Sequence, residues 1–175
     1  MAGADLRAAT DADIPEIVAL TNRAYRATGP RASWTVESYI EGQRTTAAAL
    51  REDLAAKPQA HLLIWRDAAG ELQGHVWLEP LGDDVWYLGL LSVRPDRQDR
   101  KLGRTLLTAA EDFARARGVT RMRMRVINVR DTLIAWYERR GYRLTGETRP
   151  FPYDDARFGV PLRDDLSFVV LEKVL

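Results

Sequence analysis

The fold is decided by residues 85–107, VWYLGLLSVRPDRQDRKLGRTLL. The apolar run Val85–Val93 predicts a strand, and Pro95 ends it because proline cannot donate to a strand ladder. Apolar residues then recur at helical spacing from Leu102 onwards, which predicts a helix after the loop. The N-terminus of a helix favours an anion, and four cations surround this one: Arg97, Arg100, Lys101 and Arg104. The stretch therefore predicts either a cradle for a phosphate or pyrophosphate, or a solvated basic loop.

Two motifs in the chain match one family of enzymes. Val93-Arg94-Pro95 and then Gln98–Gly103 fit the pattern V-x-P followed by Q/R-x-x-G-x-G/A, with Lys101 in place of the first glycine. The second motif is WYERRGY, residues 136–142, which is close to the pattern L-Y-E-K-L-G-F. On these residues the chain resembles the GCN5-related N-acetyltransferases, the GNAT superfamily.

The resemblance implies that acetyl-CoA is the cosubstrate and that backbone N–H groups of the loop hold its pyrophosphate. Lys101 costs backbone freedom there but adds a cation beside the phosphates. Arg130 stands seven residues before Tyr137, where the family often has an asparagine that contacts CoA, and Asn128 is interpreted as a helix N-cap. The residues implied to bind the cofactor are Leu91, Ser92, Val93, Gln98, Asp99, Arg100, Lys101, Leu102, Gly103, Arg104, Thr105 and Arg130.

The resemblance also implies the fold class, a single α/β domain over residues 1–175 with a mixed, largely antiparallel sheet of six to seven strands flanked by helices. Strands are predicted from the residue pattern near residues 5–10, 61–65, 71–79, 85–93, 121–127, 142–148 and 166–175. Helices are predicted near residues 11–29, 102–118 and 128–141, and in two pieces over residues 31–58. Glu111 is placed on the exposed face of the second of these helices, and His75 is interpreted as a packed histidine.

Acyl transfer from a thioester to an amine needs a proton acceptor, oxyanion donors and an acid for the departing thiolate. By resemblance, Tyr137 is the acid, and strand N–H groups around Leu91 and Val93 face the oxyanion. Many relatives carry a glutamate base where this chain has Tyr87. Glu79 is the substitute candidate for the base, and ordered water without a dedicated base is the alternative.

The acceptor side is expected to include Tyr25, Trp34, Tyr87, Asp154 and Asp155. The two aspartates belong to a long connection, residues 149–165, that is acidic and contains three prolines. A connection of this length is uncommon unless it is functional. Its charge favours a cationic amine acceptor, while a merely solvated loop is the alternative interpretation.

Composition limits the other classes of function. The chain has no cysteine and two histidines, which excludes thiolate chemistry by the protein and predicts no metal site. No apolar run approaches the roughly 18 residues that span a bilayer, and the N-terminus lacks a signal-peptide core, so we expect a cytoplasmic protein without a membrane partner. A homodimer is left open.

Charge is unevenly spread in this chain of net charge +1, since residues 94–143 contain 14 Arg and Lys against 6 Asp and Glu. The segment suggests an anionic partner, either CoA or nucleic acid. Nucleic acid is disfavoured because no aromatic residues interleave with the arginine row of Arg121, Arg123 and Arg125. The sequence thus favours transfer of an acetyl group from acetyl-CoA to a primary amine of a small molecule or protein. A non-catalytic acyl-CoA sensor is the first rival and a nucleic-acid-binding module the second.

Overall fold

The computed structural model describes residues 3–26 and 36–175, of which residues 98–100 are described by their backbone alone. Its helices are α1 (Ile14–Arg26), α2 (Ala47–Ala56), α3 (Leu102–Arg115) and α4 (Asp131–Glu138). Its strands are β1 (Leu6–Ala8), β2 (Ile40–Glu41), β3 (His61–Arg66), β4 (Leu72–Pro80), β5 (Val85–Val93), β6 (Arg121–Ile127), β7 (Arg143–Pro150), β8 (Val160–Pro161) and β9 (Ser167–Val174). Short 3₁₀ helices cover Asp11–Asp13, Pro95–Arg100 and Ala156–Phe158.

Seven strands form one sheet in the order β1-β3-β4-β5-β6-β9-β7. Every neighbouring pair is antiparallel except β5 and β6, which are parallel because α3 connects them. The remaining strands, β2 and β8, form a separate two-stranded ribbon. The predicted fold class is therefore confirmed.

The sheet opens between β5 and β6. Parallel pairing covers only three residue pairs, from Val85 with Arg121 to Tyr87 with Arg123. On its other side β5 carries a bulge, since its register against β4 shifts between the pairs of His75 and Trp77, and Leu90 adopts a φ of 48°. The bulge turns this half of β5 away from β6, so a cleft lies between the two strands.

Helices cover both faces of the sheet, and each face has its own apolar core. On one face α3 buries residues such as Leu106 and Ala110 against Val76 and Met122. On the other face, α1 and α2 bury Ile17, Leu20 and Leu50 against Ile64 and Trp77. The described helices include none that is long and apolar enough to cross a membrane.

The prediction of two helical pieces over residues 31–58 is half wrong. The second piece is α2, but residues 36–46 contain turns and the strand β2 instead of a helix. Ile40 pairs with Pro161 and Glu41 with Val160, so pairing with a distant segment overrides the local helical pattern. Trp34 and the first residues of this segment lie outside the described residues.

Two further interpretations are corrected by hydrogen bonds. The N-cap of α4 is Arg130 and not Asn128. The side-chain amide of Asn128 instead accepts a hydrogen bond from the Ser167 N–H and donates one to the Asp165 carbonyl, each at 3.0 Å. Glu111 is only 4% exposed, because Tyr142 and Lys173 hold its carboxylate inside the fold. In both cases the polar side chain forms hydrogen bonds with residues that are distant in sequence.

Candidate active site

The cleft between β5 and β6 holds two adjoining cavities. The small cavity, of about 220 Å³, ends at Lys101 and Gly103, where α3 begins. The large cavity, of about 450 Å³, extends the other way, towards residues 37–44 and 150–158. Five residues line both cavities and mark where they join: Tyr25, Leu91, Arg130, Leu133 and Tyr137.

The small cavity brings together most of the residues predicted to bind a cofactor. Seven of them line it: Leu91, Ser92, Val93, Lys101, Gly103, Arg104 and Arg130. Leu102 is buried at the start of α3, and the hydroxyl of Thr105 is turned back onto the Lys101 carbonyl at 3.2 Å. The side chains of Gln98, Asp99 and Arg100 lie outside the described part of the chain.

The backbone at Lys101 explains why the family pattern has glycine there. Lys101 is the N-cap of α3 and adopts φ 58° and ψ 29°, the left-handed region that glycine enters without a steric penalty. Lysine carries that penalty here and brings a cation to the end of the small cavity. The backbone at this position is therefore one that favours glycine, although lysine occupies it.

Tyr137 lies at the junction of the two cavities and is 6% exposed. Its ring packs edge-on against Trp136 and Tyr142, with ring centroids 5.0 and 5.6 Å away. Burial raises the pKa of its phenol above the ordinary value of 10, with a smaller contribution from Tyr25. The hydroxyl is therefore protonated at neutral pH and available as a donor.

Glu79, the candidate base, lies apart from this junction. It lines a neighbouring cavity that shares Tyr87 and Arg44 with the large one. Its carboxylate receives hydrogen bonds from Lys57 at 2.7 Å and from the Trp77 indole at 3.2 Å. Glu79 is thus engaged by a cation and lines neither of the two cavities that meet at the junction.

An ionic cluster is buried in the wall of the large cavity. Glu37 is 5% exposed and lies between two arginines. Arg26 donates to one of its oxygens, and Nη1 of Arg130 lies 3.4 Å from the other. Arg130, predicted as a cofactor contact, is thereby also a partner of Glu37.

The acidic side chains predicted on the acceptor side are not brought together with the cavity. Asp154 is exposed and Asp155 caps the 3₁₀ helix Ala156–Phe158 by accepting from the Arg157 N–H at 3.0 Å. Neither lines a described cavity, although Pro150, Phe151 and Phe158 of the same connection do. Tyr25 and Tyr87, which were also expected on the acceptor side, line the large cavity, and burial raises the pKa of both phenols.

The sequence reasoning did not place three arginines of the large cavity, Arg26, Arg44 and Arg125, at the site. Arg44 lies in the segment predicted as helix, and Arg125 belongs to the arginine row of β6 and lines the cavity with an exposed side chain. The other two members of that arginine row pair with acids, Arg121 and Arg123 with Glu172 and Arg123 also with Glu147. These acids interrupt the row that a nucleic-acid-binding surface would need.

Comparisons with known proteins show the family of this chain. The model of the acetyltransferase (GNAT) family matches residues 18–142. A curated relative, the mycothiol acetyltransferase of Clavibacter michiganensis subsp. michiganensis, is 35% identical over 147 residues, 81% of this chain and 43% of the relative. The chain thus spans less than half the length of that relative. It belongs to the GNAT acetyltransferase family.

Solved structures share the fold. The spermidine N-acetyltransferase of Vibrio cholerae, in complex with CoA and spermine, superposes with a TM-score of 0.70 at 19% identity and covers 97% of this chain and 94% of its own. A GNAT family acetyltransferase from Elizabethkingia anophelis with acetyl-CoA bound has a TM-score of 0.61 at 17% identity, covering 71% of this chain and 83% of its own. The predicted family is therefore confirmed, together with its architecture.

Proposed function

We propose that the protein transfers an acetyl group from acetyl-CoA to a primary amine of a small molecule or protein, by direct attack in a ternary complex. The observation that carries the proposal is the position of Tyr137 between the two cavities. One cavity is lined by the predicted cofactor residues, and the other offers room for an acceptor. The GNAT family match supports the same conclusion.

The residues present fit acetyl-CoA. Lys101 and Arg104 supply cations at the N-terminus of α3, a place suited to phosphates. Leu91 and Val93 supply apolar surface and strand backbone along the small cavity, with Trp136 opposite. The cofactor would therefore lie along β5 with its thioester near the junction of the cavities.

The transfer forms a nitrogen–carbon bond and breaks the carbon–sulfur bond of the thioester. Tyr137 donates a hydrogen bond to the sulfur as it departs, since its raised pKa keeps the phenol protonated. The amine loses its proton to ordered water or through water to Glu79, because Glu79 lies in the neighbouring cavity. Backbone N–H groups near the bulge of β5 are the proposed oxyanion donors.

The proposal also covers the setting of the protein. Residues 1–175 act as one domain with no metal requirement, and the cysteine-free composition suits a reducing compartment such as the cytoplasm. A homodimer is compatible with the exposed edge strand β7, where Leu144 is 49% exposed. Light scattering coupled to gel filtration measures this directly.

One observation favours a second candidate, a non-catalytic acyl-CoA sensor. Glu37 in the large cavity and Glu79 in the neighbouring cavity are both held by cations. An oxygen that already accepts a hydrogen bond from a cation is not free to face an amine. A sensor would bind acetyl-CoA without turning over any amine.

The test is titration calorimetry of the purified protein with acetyl-CoA and CoA, followed by thiol release with a panel of amines. Micromolar binding with amine-dependent release of CoA supports the transferase. Binding without turnover on any amine supports the sensor. Absence of binding to either molecule contradicts both, and a DNA duplex in the same titration checks the nucleic-acid interpretation.

A further inference from the structure

The large cavity is cationic, and its charges are unevenly neutralised. Four arginines line it, Arg26, Arg44, Arg125 and Arg130, against a single acid among its described lining residues, Glu37. Arg26 and Arg130 already share Glu37. The described residues offer no carboxylate partner to Arg44 or Arg125, which therefore bring two uncompensated positive charges to the cavity.

Arg44 and Arg125 are placed by aromatic rings instead of acids. The Arg44 guanidinium lies 5.7 Å from the ring centre of Tyr25 and 5.8 Å from that of Phe158. The Arg125 guanidinium lies 5.4 Å from the ring centre of Tyr87. Contacts of this kind orient a guanidinium while leaving its N–H donors free for an anion.

The backbone of Arg44 is also fixed. Its N–H donates to the Asn22 side chain on α1 at 2.6 Å, and the Asn22 amide donates to the Thr45 carbonyl at 3.0 Å. The ring beneath the Arg44 guanidinium belongs to Tyr25, whose hydroxyl donates to the Leu91 carbonyl at the junction of the cavities. The side chain of Tyr25 therefore lies between the junction of the cavities, where the proposed reaction takes place, and the guanidinium of Arg44, which has no carboxylate partner among the described residues.

We infer that the acceptor is a small amine that carries an anionic group, a carboxylate or a phosphate, recognised by Arg44 and Arg125. Guanidinium groups bind both anions through paired N–H donors. A polyamine acceptor would instead meet like charges in this cavity. The inference rests on the proposed function, because it names the acceptor class of the same site.

The experiment compares amines in matched pairs with acetyl-CoA as donor. L-methionine is set against L-methioninamide, and O-phosphoethanolamine against ethanolamine, with spermidine as the polycation. We expect kcat/KM for the anionic member of the preferred pair to exceed that of its neutral partner at least tenfold. The amine of L-methioninamide is less basic than that of L-methionine, so a larger fraction of it is neutral and able to attack. A preference for L-methionine would therefore be seen in spite of this advantage of the amide. The better of the two anionic amines identifies the anion.

Variants assign the preference to residues. Arg44→Gln and Arg125→Gln should each lower kcat/KM for the anionic amine roughly tenfold and leave that of the neutral partner little changed. Arg121→Gln is the matched control, because it removes a charge from the same strand as Arg125 outside the cavity and should leave both values unchanged. Equal or better use of methioninamide, ethanolamine or spermidine by the unaltered protein would overturn the inference.

A binding arm separates this inference from the proposed function. Calorimetry with CoA present compares N-acetyl-L-methionine with its amide, and N-acetylated O-phosphoethanolamine with N-acetylethanolamine. If the protein prefers the anionic product and Arg44→Gln abolishes that preference, anion recognition is upheld even when no amine is turned over. The absence of turnover would then contradict only the transferase proposal. Turnover of neutral amines without anion preference in either arm would uphold the transferase and overturn the anionic acceptor.

Discussion

Tyr25 donates its hydroxyl proton to the carbonyl oxygen of Leu91 across 3.2 Å, and this hydrogen bond joins α1 to the bulged part of β5. Tyr25→Phe should lower the free energy of unfolding by about 1 kcal/mol, because the carbonyl loses its partner. It should also raise KM for acetyl-CoA more than it lowers kcat. Urea denaturation and initial rates measure the two effects.

Tyr39→Phe is the control for that prediction. The Tyr39 hydroxyl is buried without a hydrogen-bond partner among the described residues, so its removal should leave the free energy of unfolding unchanged or slightly higher. Equal destabilisation by the two variants would mean that the bond from Tyr25 to Leu91 contributes nothing to stability.

Tyr137→Phe should reduce kcat by about 10² to 10⁴, the usual contribution of a positioned acid, while the Kd for acetyl-CoA stays the same. Because burial raises the pKa of Tyr137 above 10, this residue should produce no loss of kcat between pH 7 and pH 9. Rates across that range, with calorimetry for the Kd, check both statements. A variant with unaltered kcat would remove Tyr137 from the mechanism.

Lys101→Gly should increase the free energy of unfolding by about 1 kcal/mol, because glycine relieves the left-handed backbone at this position. Its affinity for CoA should fall several-fold through loss of the cation. Lys101→Met separates the two effects, since it removes the charge and keeps the strain. If both variants bind CoA as the unaltered protein does, Lys101 does not contact the cofactor.

His75 should make stability depend on pH. It is fully buried, with Nε2 2.9 Å from the Thr21 hydroxyl, and burial lowers its pKa to about 4, below the ordinary 6.5. The unfolded chain therefore binds the proton more readily between these values, so stability is full above about pH 6.5 and falls as the pH approaches 4. The loss attributable to His75 should be about 3 kcal/mol.

Denaturation at several pH values measures this dependence. His75→Gln should flatten the profile between pH 6.5 and pH 4. His61→Gln should flatten it less, because burial and Arg117 lower the pKa of this partly exposed histidine as well, but to a smaller extent. An unchanged slope in His75→Gln would show that other groups cause the acid sensitivity.

Lys173→Met should destabilise the protein by about 3 to 5 kcal/mol, because it removes the main partner of a buried carboxylate. Lys173 donates to both oxygens of Glu111, at 3.0 and 2.9 Å, and Tyr142 donates at 3.0 Å. The double variant with Glu111→Leu should recover part of the loss, as measured in a double-mutant cycle. Additive effects would show that the two residues do not interact energetically.

Most of the fold could be predicted because its signals are local. The apolar runs at β3, β4 and β5, the alternation at β6 and the apolar stripe of α3 all reflect periodicities that burial imposes on one face. The position of the predicted cofactor loop at a helix N-terminus could be predicted for the same reason, since a strand, a turn and a helix follow one another in sequence. The separation of β5 from β6 positions that loop, but no comparable local pattern in the sequence predicts it.

The errors concern contacts between distant segments. Glu111 looks exposed in the helical pattern until Lys173 and Tyr142 approach from elsewhere in the chain. Ile40 has a helical context, but its partner is Pro161. The large cavity is built largely from such contacts, which is why Arg44 and Arg125 were not expected there, whereas Leu91 and Gly103 belong to one continuous stretch and line the small cavity.

The ribbon of β2 and β8 has a consequence for changing the acceptor. It couples residues 36–46 to residues 156–162, and a Cβ at Gly159, whose φ is 88°, would overlap the Glu41 carbonyl. Replacing only one of these two segments with the corresponding segment of a relative would therefore disturb the other. An engineer who wishes to change the proposed acceptor would transplant the two segments as one cassette and keep the small cavity intact.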